Sequence, residues 1–203
     1  MLFRSVQTSG TILHGVSYPY YRQAGQPVTL QGTWKIRFVE GGPSLPAAVT
    51  TTQLGSWTTL RGEDTKKFSG TASYSLSFTR PSGTAIKWLL DLGKVNETAQ
   101  VFLNGSKIAT LIGPDYSVML PASDLREKNK LEIRVSNLMV NRIEDMDRQG
   151  LVWKKFYNTN FPAHDRANRG ANGLFDASKW SPLDSGLSGP VTITPLEDEG
   201  KMK

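Results

Sequence analysis

Acid–base chemistry of the kind that cleaves an acetal would have to rest on paired carboxylates in this chain. The sequence has no cysteine and two histidines, His14 and His164. Composition therefore excludes thiol catalysis, disulfides, Cys-ligated zinc and a histidine-rich metal site. Two facing carboxyl groups, one donating a proton and one acting as base or nucleophile, are what cleavage of an acetal such as a glycosidic bond requires. The candidates are Glu97, Asp115, Glu144, Asp145, Asp147, Asp165 and Asp176. Their spacing pairs no two of them. Glu144, Asp145 and Asp147 crowd together in a stretch where acids are commonly solvated or cap a turn. His164 adjoins Asp165, but no nucleophile completes a relay, so both histidines read as surface-loop residues. No residue is assigned a catalytic role.

Saccharide recognition is the other chemistry within reach. It needs a flat aromatic face for the C–H side of a sugar ring and planar polar side chains for the hydroxyls. Trp57, Tyr116, Trp153, Phe156, Tyr157 and Trp180 could supply faces, and Asn96, Glu97, Asn137, Asn141 and Arg142 could supply hydrogen bonds. The candidate sugar-binding set is Trp57, Asn96, Glu97, Tyr116, Asn137, Asn141, Arg142, Trp153 and Tyr157. A packing role competes for each of them. Trp57 follows Leu54-Gly55-Ser56 and could pack under a loop, the loop aromatics could contact a neighbouring domain, and Asn137 and Asn141 could satisfy backbone groups in an irregular segment.

The elements that must position these residues fit one domain, or one domain with a long appendage. The chain has 203 residues, of which 38% are hydrophobic and 21% charged. That excludes a disordered polypeptide and argues against a complete multi-domain enzyme. No run approaches the ~20 apolar residues of a membrane span. The opening MLFRSVQTSG lacks the apolar core of a signal peptide, so the chain is expected either to be cytosolic or to be a piece of a longer exported protein. A net charge of +6 comes from scattered lysines and arginines rather than a clustered stripe. We expect neither a nucleic-acid nor a membrane partner.

The dominant periodicity is two. Trp34, Ile36 and Phe38 alternate with Lys35 and Arg37; Tyr74, Leu76 and Phe78 alternate with serines. Ile86, Trp88, Leu90 and Leu92 share one parity, as do Ala99, Val101 and Leu103, and Leu131, Ile133 and Val135. Trp34 and Trp88 thus fall on core parity. Alternation of this kind marks half-buried strands of antiparallel sheets. Asn104-Gly105 predicts a type I′ hairpin turn. Ser123–Lys130 predicts a short helical turn capped by Ser123. Met1–Gln26 reads as an extended lead-in, residues 27–196 as a β-sandwich domain, Asn141–Gly189 as a long wrapping loop segment, Pro190–Pro195 as a closing strand and Glu197–Lys203 as a charged, frayed tail. No long stretch shows a helical period.

Several ordered segments carry a family resemblance: LGSWT at Leu54–Thr58, FSGTASYSLSF at Phe68–Phe78, WLLDLGKVNETAQVFLNGSKIATLIGPDYSVML at Trp88–Leu120 and LEIRVSN at Leu131–Asn137. They resemble the sugar-binding-type β-sandwich domain of glycoside hydrolase family 2 and its relatives. NLMVNRIEDMDRQG, WKKFYNTNF and FDASKWSPLDSGLSGPVTITPL look like the C-terminal end of family 106 α-L-rhamnosidases. The resemblance spans about Leu30 to Leu196. It implies an all-β, galactose-binding-domain-like jelly roll, and a catalytic barrel lying elsewhere, since a barrel alone takes ~250 residues. It implies as partners the catalytic domain of a larger glycosidase and a plant cell-wall glycan, in a periplasmic or secreted setting. No cofactor is implied beyond a structural calcium ion, for which Asn141, Asp145 and Asp147 could contribute oxygens. The implied function is a non-catalytic, carbohydrate-binding-type accessory module. An autonomous carbohydrate-binding module and a small stand-alone glycoside hydrolase are the alternatives.

Overall fold

The computed structural model describes residues 20–60, 62–154 and 161–199. His14, Phe156 and Tyr157 lie outside the described residues. In chain order the strands are β1 (Tyr21–Gln23), β2 (Val28–Thr29), β3 (Trp34–Gly42), β4 (Val49–Thr51), β5 (Ser69–Thr79), β6 (Lys87–Asp91), β7 (Lys94–Asn96), β8 (Thr98–Leu103), β9 (Ser106–Ile112), β10 (Ser117–Pro121), β11 (Lys128–Ser136), β12 (Gly186–Gly189) and β13 (Thr192–Asp198). Two short helices, α1 (Glu63–Lys66) and α2 (Val140–Arg148), interrupt them.

The strands form an antiparallel sandwich. One sheet runs β4-β3-β5-β11-β8-β9, the other runs β1-β13-β6-β10 with β2 also on β13, and β12 pairs with β7 in a small ribbon. Side chains of the predicted parity fill the space between the layers. Trp34, Ile36, Tyr74, Leu76, Val101, Leu131 and Ile133 meet Trp88, Leu90, Leu120 and Ile193 in one buried cluster. Lys35, Arg37 and Arg134 point from the same strands to water. Each register thereby buries one whole face of a strand, and a one-residue slip would exchange that face for the charged one.

The hairpin reading holds in detail. Asn104 (φ 53°) and Gly105 (φ 89°) both lie in the left-handed region, and Leu103 pairs with Ser106 across the two-residue turn. That is the geometry a type I′ turn requires. Ile86 is the exception among the parity residues: it precedes β6 and is exposed.

Three expectations are corrected. The Ser123–Lys130 turn is a 3-10 turn over Ala122–Asp124 with no side-chain cap, because the Ser123 hydroxyl bonds the Asp124 carboxylate instead. β11 already begins at Lys128. Glu197 and Asp198, read as tail, belong to β13 and pair with Arg22 and Tyr21, with a 2.7 Å ion pair between Arg22 and Glu197. The segment read as loop carries α2. Its buried residues are Asn141 and Glu144, while the apolar stripe Val140, Ile143 and Met146 is only half-buried, so the most deeply buried positions of the helix are polar.

Candidate functional site

The sandwich has two ends, set by the antiparallel strands β5 and β11. Their pairing runs from Thr71↔Ser136 to Thr79↔Lys128. Those ends lie about 25–30 Å apart at ~3.4 Å per residue.

The first end gathers five of the predicted residues: Asn96, Glu97, Tyr116, Asn137 and Asn141. Irregular backbone is the reason. Here β7 gives way to β8, β11 gives way to α2, and the chain returns through residues 183–186 to form β12. Backbone groups that leave a ladder need side-chain partners when buried. Asn137 accepts from Gly70 N–H at 2.9 Å and donates to Phe68 O and Ser185 Oγ at 3.1 and 3.0 Å. Asn141, 2% exposed, donates to Leu183 O at 2.9 Å and accepts from Leu183 N–H at 2.8 Å. Ser185 N–H in turn donates to Ser56 Oγ, and Trp57 N–H donates to Ser185 O. Asn96 donates to Gly186 O, and the Tyr116 hydroxyl donates to Glu97 O. The Glu97 carboxylate is exposed. What remains open between these groups is about 10 Å³, bordered by Glu97, Asn137, Asn141 and Ser185. That is room for one water and not for a sugar ring.

Trp57 lies beneath this knot and is fully buried. Its ring packs edge-on against Phe38 and Phe68, with centroids 5.6 and 5.7 Å away. Neither face is open, so the role of sugar platform given to Trp57 is replaced by one in the core. Gly186 fixes the approach of β12. Its φ is 91°, and an added Cβ would lie 2.2 Å from the Tyr74 hydroxyl and 2.6 Å from the Trp57 ring. Tyr74 accepts from Leu187 N–H, and burial pushes its phenol pKa up, despite that bond.

The crowded acids are held by nitrogen donors. Asp145 takes Arg142 Nη1 at 2.9 Å and Gln149 Nε2 at 2.8 Å, which also accounts for Arg142. Asp147 takes Trp153 Nε1, Ala177 N–H and Lys154 Nζ. Glu144 lies 2.6 Å from Arg148 Nη2, an ion pair off line for a hydrogen bond. Burial raises its pKa, against the pull of Arg148 and with a push from Asp145. Asp165 and Asp176 accept backbone N–H groups of Ala167 and Ser178, and Asp176 titrates below the usual range chiefly through the Ser178 N–H. The oxygens of Asn141, Asp145 and Asp147 each take nitrogen donors of their own, and among the described residues no group of three or more His, Cys, Asp or Glu is placed to hold a metal ion.

Trp153 sits beyond the C-terminal end of α2. It packs edge-to-face on Phe175, which packs edge-to-face on Trp180, with centroids 6.3 and 5.5 Å apart. Lys154 Nζ lies 5.3 Å from the Trp153 ring. Trp180 donates its indole N–H to Asn168. The trio is half-buried and folded on itself, not presented as a flat platform.

The second end is open. A groove of about 660 Å³ lies beside the ends of β5 and β11, within the ~300–1,000 Å³ span of small-molecule sites. Thr29, Gln31, Ser77, Thr79, Lys128 and Lys130, all exposed, supply polar side chains, while Leu30, Phe78 and Asn129, which alternate with them, lie on the core side. The sequence reading passed over this end. The only signal was Lys128-Asn129-Lys130, two cations on one face of a strand.

The fold and the two ends define a β-sandwich domain in which most of the predicted sugar contacts hold the domain together. Comparison with known proteins gives the class: the chain is a glycosidase-related domain. A putative β-glucuronidase of Formosa agariphila is 33% identical over 189 residues, spanning 86% of this chain and 16% of that protein. A rhamnosidase from Novosphingobium sp. PP1Y superposes with a TM-score of 0.66 at 27% identity, over 90% of this chain and 16% of the other. The β-glucuronidase of Bifidobacterium dentium shares the fold, with a TM-score of 0.52 at 21% identity over 84% of this chain and 30% of the other. No protein-family model matches. The chain therefore spans about one-sixth of the length of the first two of these relatives. Among the described residues no helix is long and apolar enough to cross a membrane.

Proposed function

We propose that this chain is a non-catalytic accessory module of a larger glycoside hydrolase, rhamnosidase-like or family 2-like, acting on plant polysaccharide outside the cytoplasm. The carrying observation is the comparison with the putative β-glucuronidase, which matches most of this chain with only 16% of its own length. The state of the acids supports the same reading. Glycoside hydrolysis needs two carboxyl groups facing one another across the scissile bond, separated by ~5–10 Å with substrate between them. Here Asp145, Asp147 and Glu144 are engaged by Arg142, Lys154 and Arg148, and Asp165 and Asp176 cap local backbone. An acid held by a neighbouring cation is poorly placed to exchange protons with a substrate.

The test is turnover. The purified 203-residue protein is expected to release no chromophore from aryl α-L-rhamnosides or aryl β-glucuronides above the buffer rate. Hydrolysis that disappears in Glu97→Gln or Asp147→Asn would replace the module by a stand-alone enzyme.

A further inference from the structure

The groove beside the ends of β5 and β11 differs from the opposite end in what its polar side chains do. The side chains of Thr29, Gln31, Ser77 and Thr79 make no hydrogen bond among the described residues, and Lys128 and Lys130 form no ion pair there. The groove lining contains no aspartate or glutamate. Glu132, next along the same face of β11, is held by Arg134 Nε at 2.8 Å and Ser73 Oγ at 3.0 Å. Two cations and several uncommitted hydroxyl and amide groups, all exposed and on the outward parity of their segments, therefore border one open concavity. The adjoining backbone is hydrogen-bonded by side chains: Asn104 accepts from Lys130 N–H and donates to Asn129 Oδ1, whose own amide donates to Arg126 O.

We propose that this groove binds an acidic oligosaccharide. Each part has a counterpart in such a ligand. Carboxylate or sulfate groups meet Lys128 and Lys130, and ring hydroxyls meet Ser77, Thr79, Thr29 and Gln31. The groove is broad and open, unlike the tight nest of backbone N–H groups that cradles a lone phosphate. Its location rests on the groove alone. The choice of a saccharide rests on the module reading above.

The test is isothermal titration calorimetry on the full chain with tetragalacturonate, a sulfated dextran oligosaccharide of similar length and a neutral galacto-oligosaccharide. At least one acidic ligand is expected to bind about tenfold or more tightly than the neutral one, and the arm that binds identifies carboxylate or sulfate as the charged group. K128E/K130E is expected to weaken that binding at least about tenfold. K35E/R37E, an equal charge reversal on the exposed face of β3, is expected to change it by less than about threefold. Absence of acidic-ligand binding, equal affinity for the neutral ligand, or equal loss in both reversals overturns the proposal. If K128E/K130E does not fold by circular dichroism, K128Q/K130Q is held to the same tenfold criterion. Hydrolysis of aryl glycosides is measured separately, so a failed groove leaves the module reading intact, and turnover by the chain leaves the groove result readable.

Discussion

At one end of β5 and β11, the side chains of Asn137, Asn141 and Ser185 bind backbone groups of two segments, at Phe68–Gly70 and at Leu183, and leave about 10 Å³ between them. At the other end, Ser77, Thr79, Lys128 and Lys130 border about 660 Å³. Both ends are rich in groups that could hold a sugar. They differ in backbone regularity. Where the chain leaves its ladders in a buried place, amide side chains are drawn in to satisfy it. Where the strands stay regular to their ends, the backbone is already paired and the side chains remain available. Polar residue type alone does not mark a binding surface; the pairing state of the backbone beside it does.

Substitutions sharpen this contrast, the closed end giving the large effects. Trp57→Ala removes a fully buried ring between Phe38 and Phe68, and should cost about 4 kcal/mol in urea unfolding. Gly186→Ala adds a Cβ against Tyr74 and Trp57 at a left-handed φ; overpacking and backbone strain together should cost about 3 kcal/mol. Asn141→Ala strips the partners of Leu183 N–H and C=O and should cost about 2 kcal/mol. At the open end, Lys128→Ala with Lys130→Ala should change stability by less than about 0.5 kcal/mol. A loss there as large as that of Asn141→Ala would erase the distinction between the two ends.

The pH dependence bears on the closed end as well. Burial holds the Glu144 carboxyl above its usual range, with Arg148 opposing and Asp145 adding to the shift. The folded protein therefore keeps this proton to higher pH than the unfolded chain does. The stability from this group is fully present below the unfolded value of about 4.3 and is lost as pH rises through the raised folded value. Glu144→Gln should flatten that decline and leave thermal stability near neutral pH equal to or above the parent's. Arg148 would keep its bonds to Ser178 O and Trp180 O. A decline of unchanged steepness in the variant would remove Glu144 as its source.

The sandwich was legible because period two is written into contiguous residues: Trp34, Ile36 and Phe38, or Leu131, Ile133 and Val135, need no distant information to be read. The Asn104-Gly105 turn was legible for the same reason. α2 was not, although Val140, Ile143 and Met146 recur at helical spacing: that stripe is only three residues long, and the positions buried deepest, Asn141 and Glu144, are polar. Nor was the closed end. Asn96, Glu97, Tyr116, Asn137 and Asn141 stand among the nine candidates with nothing in the sequence to set them at one end, and whether an asparagine faces a ligand or a backbone carbonyl depends on Leu183 and Ser185, more than 40 residues away. Trp57 failed as a platform because Phe38 and Phe68, from two other segments, close over it. Lys128 and Lys130 gained their place only when β11 was set beside β5 and the residues around β2.

Amide chemical-shift mapping of the ¹⁵N-labelled chain during titration with the acidic oligosaccharide that binds tests the central claim most directly. The account predicts perturbations gathered on Ser77, Phe78, Thr79, Lys128 and Lys130, with Glu97, Asn137, Asn141 and Ser185 unmoved. Perturbations gathered on the latter four, and absent from the groove, would contradict it.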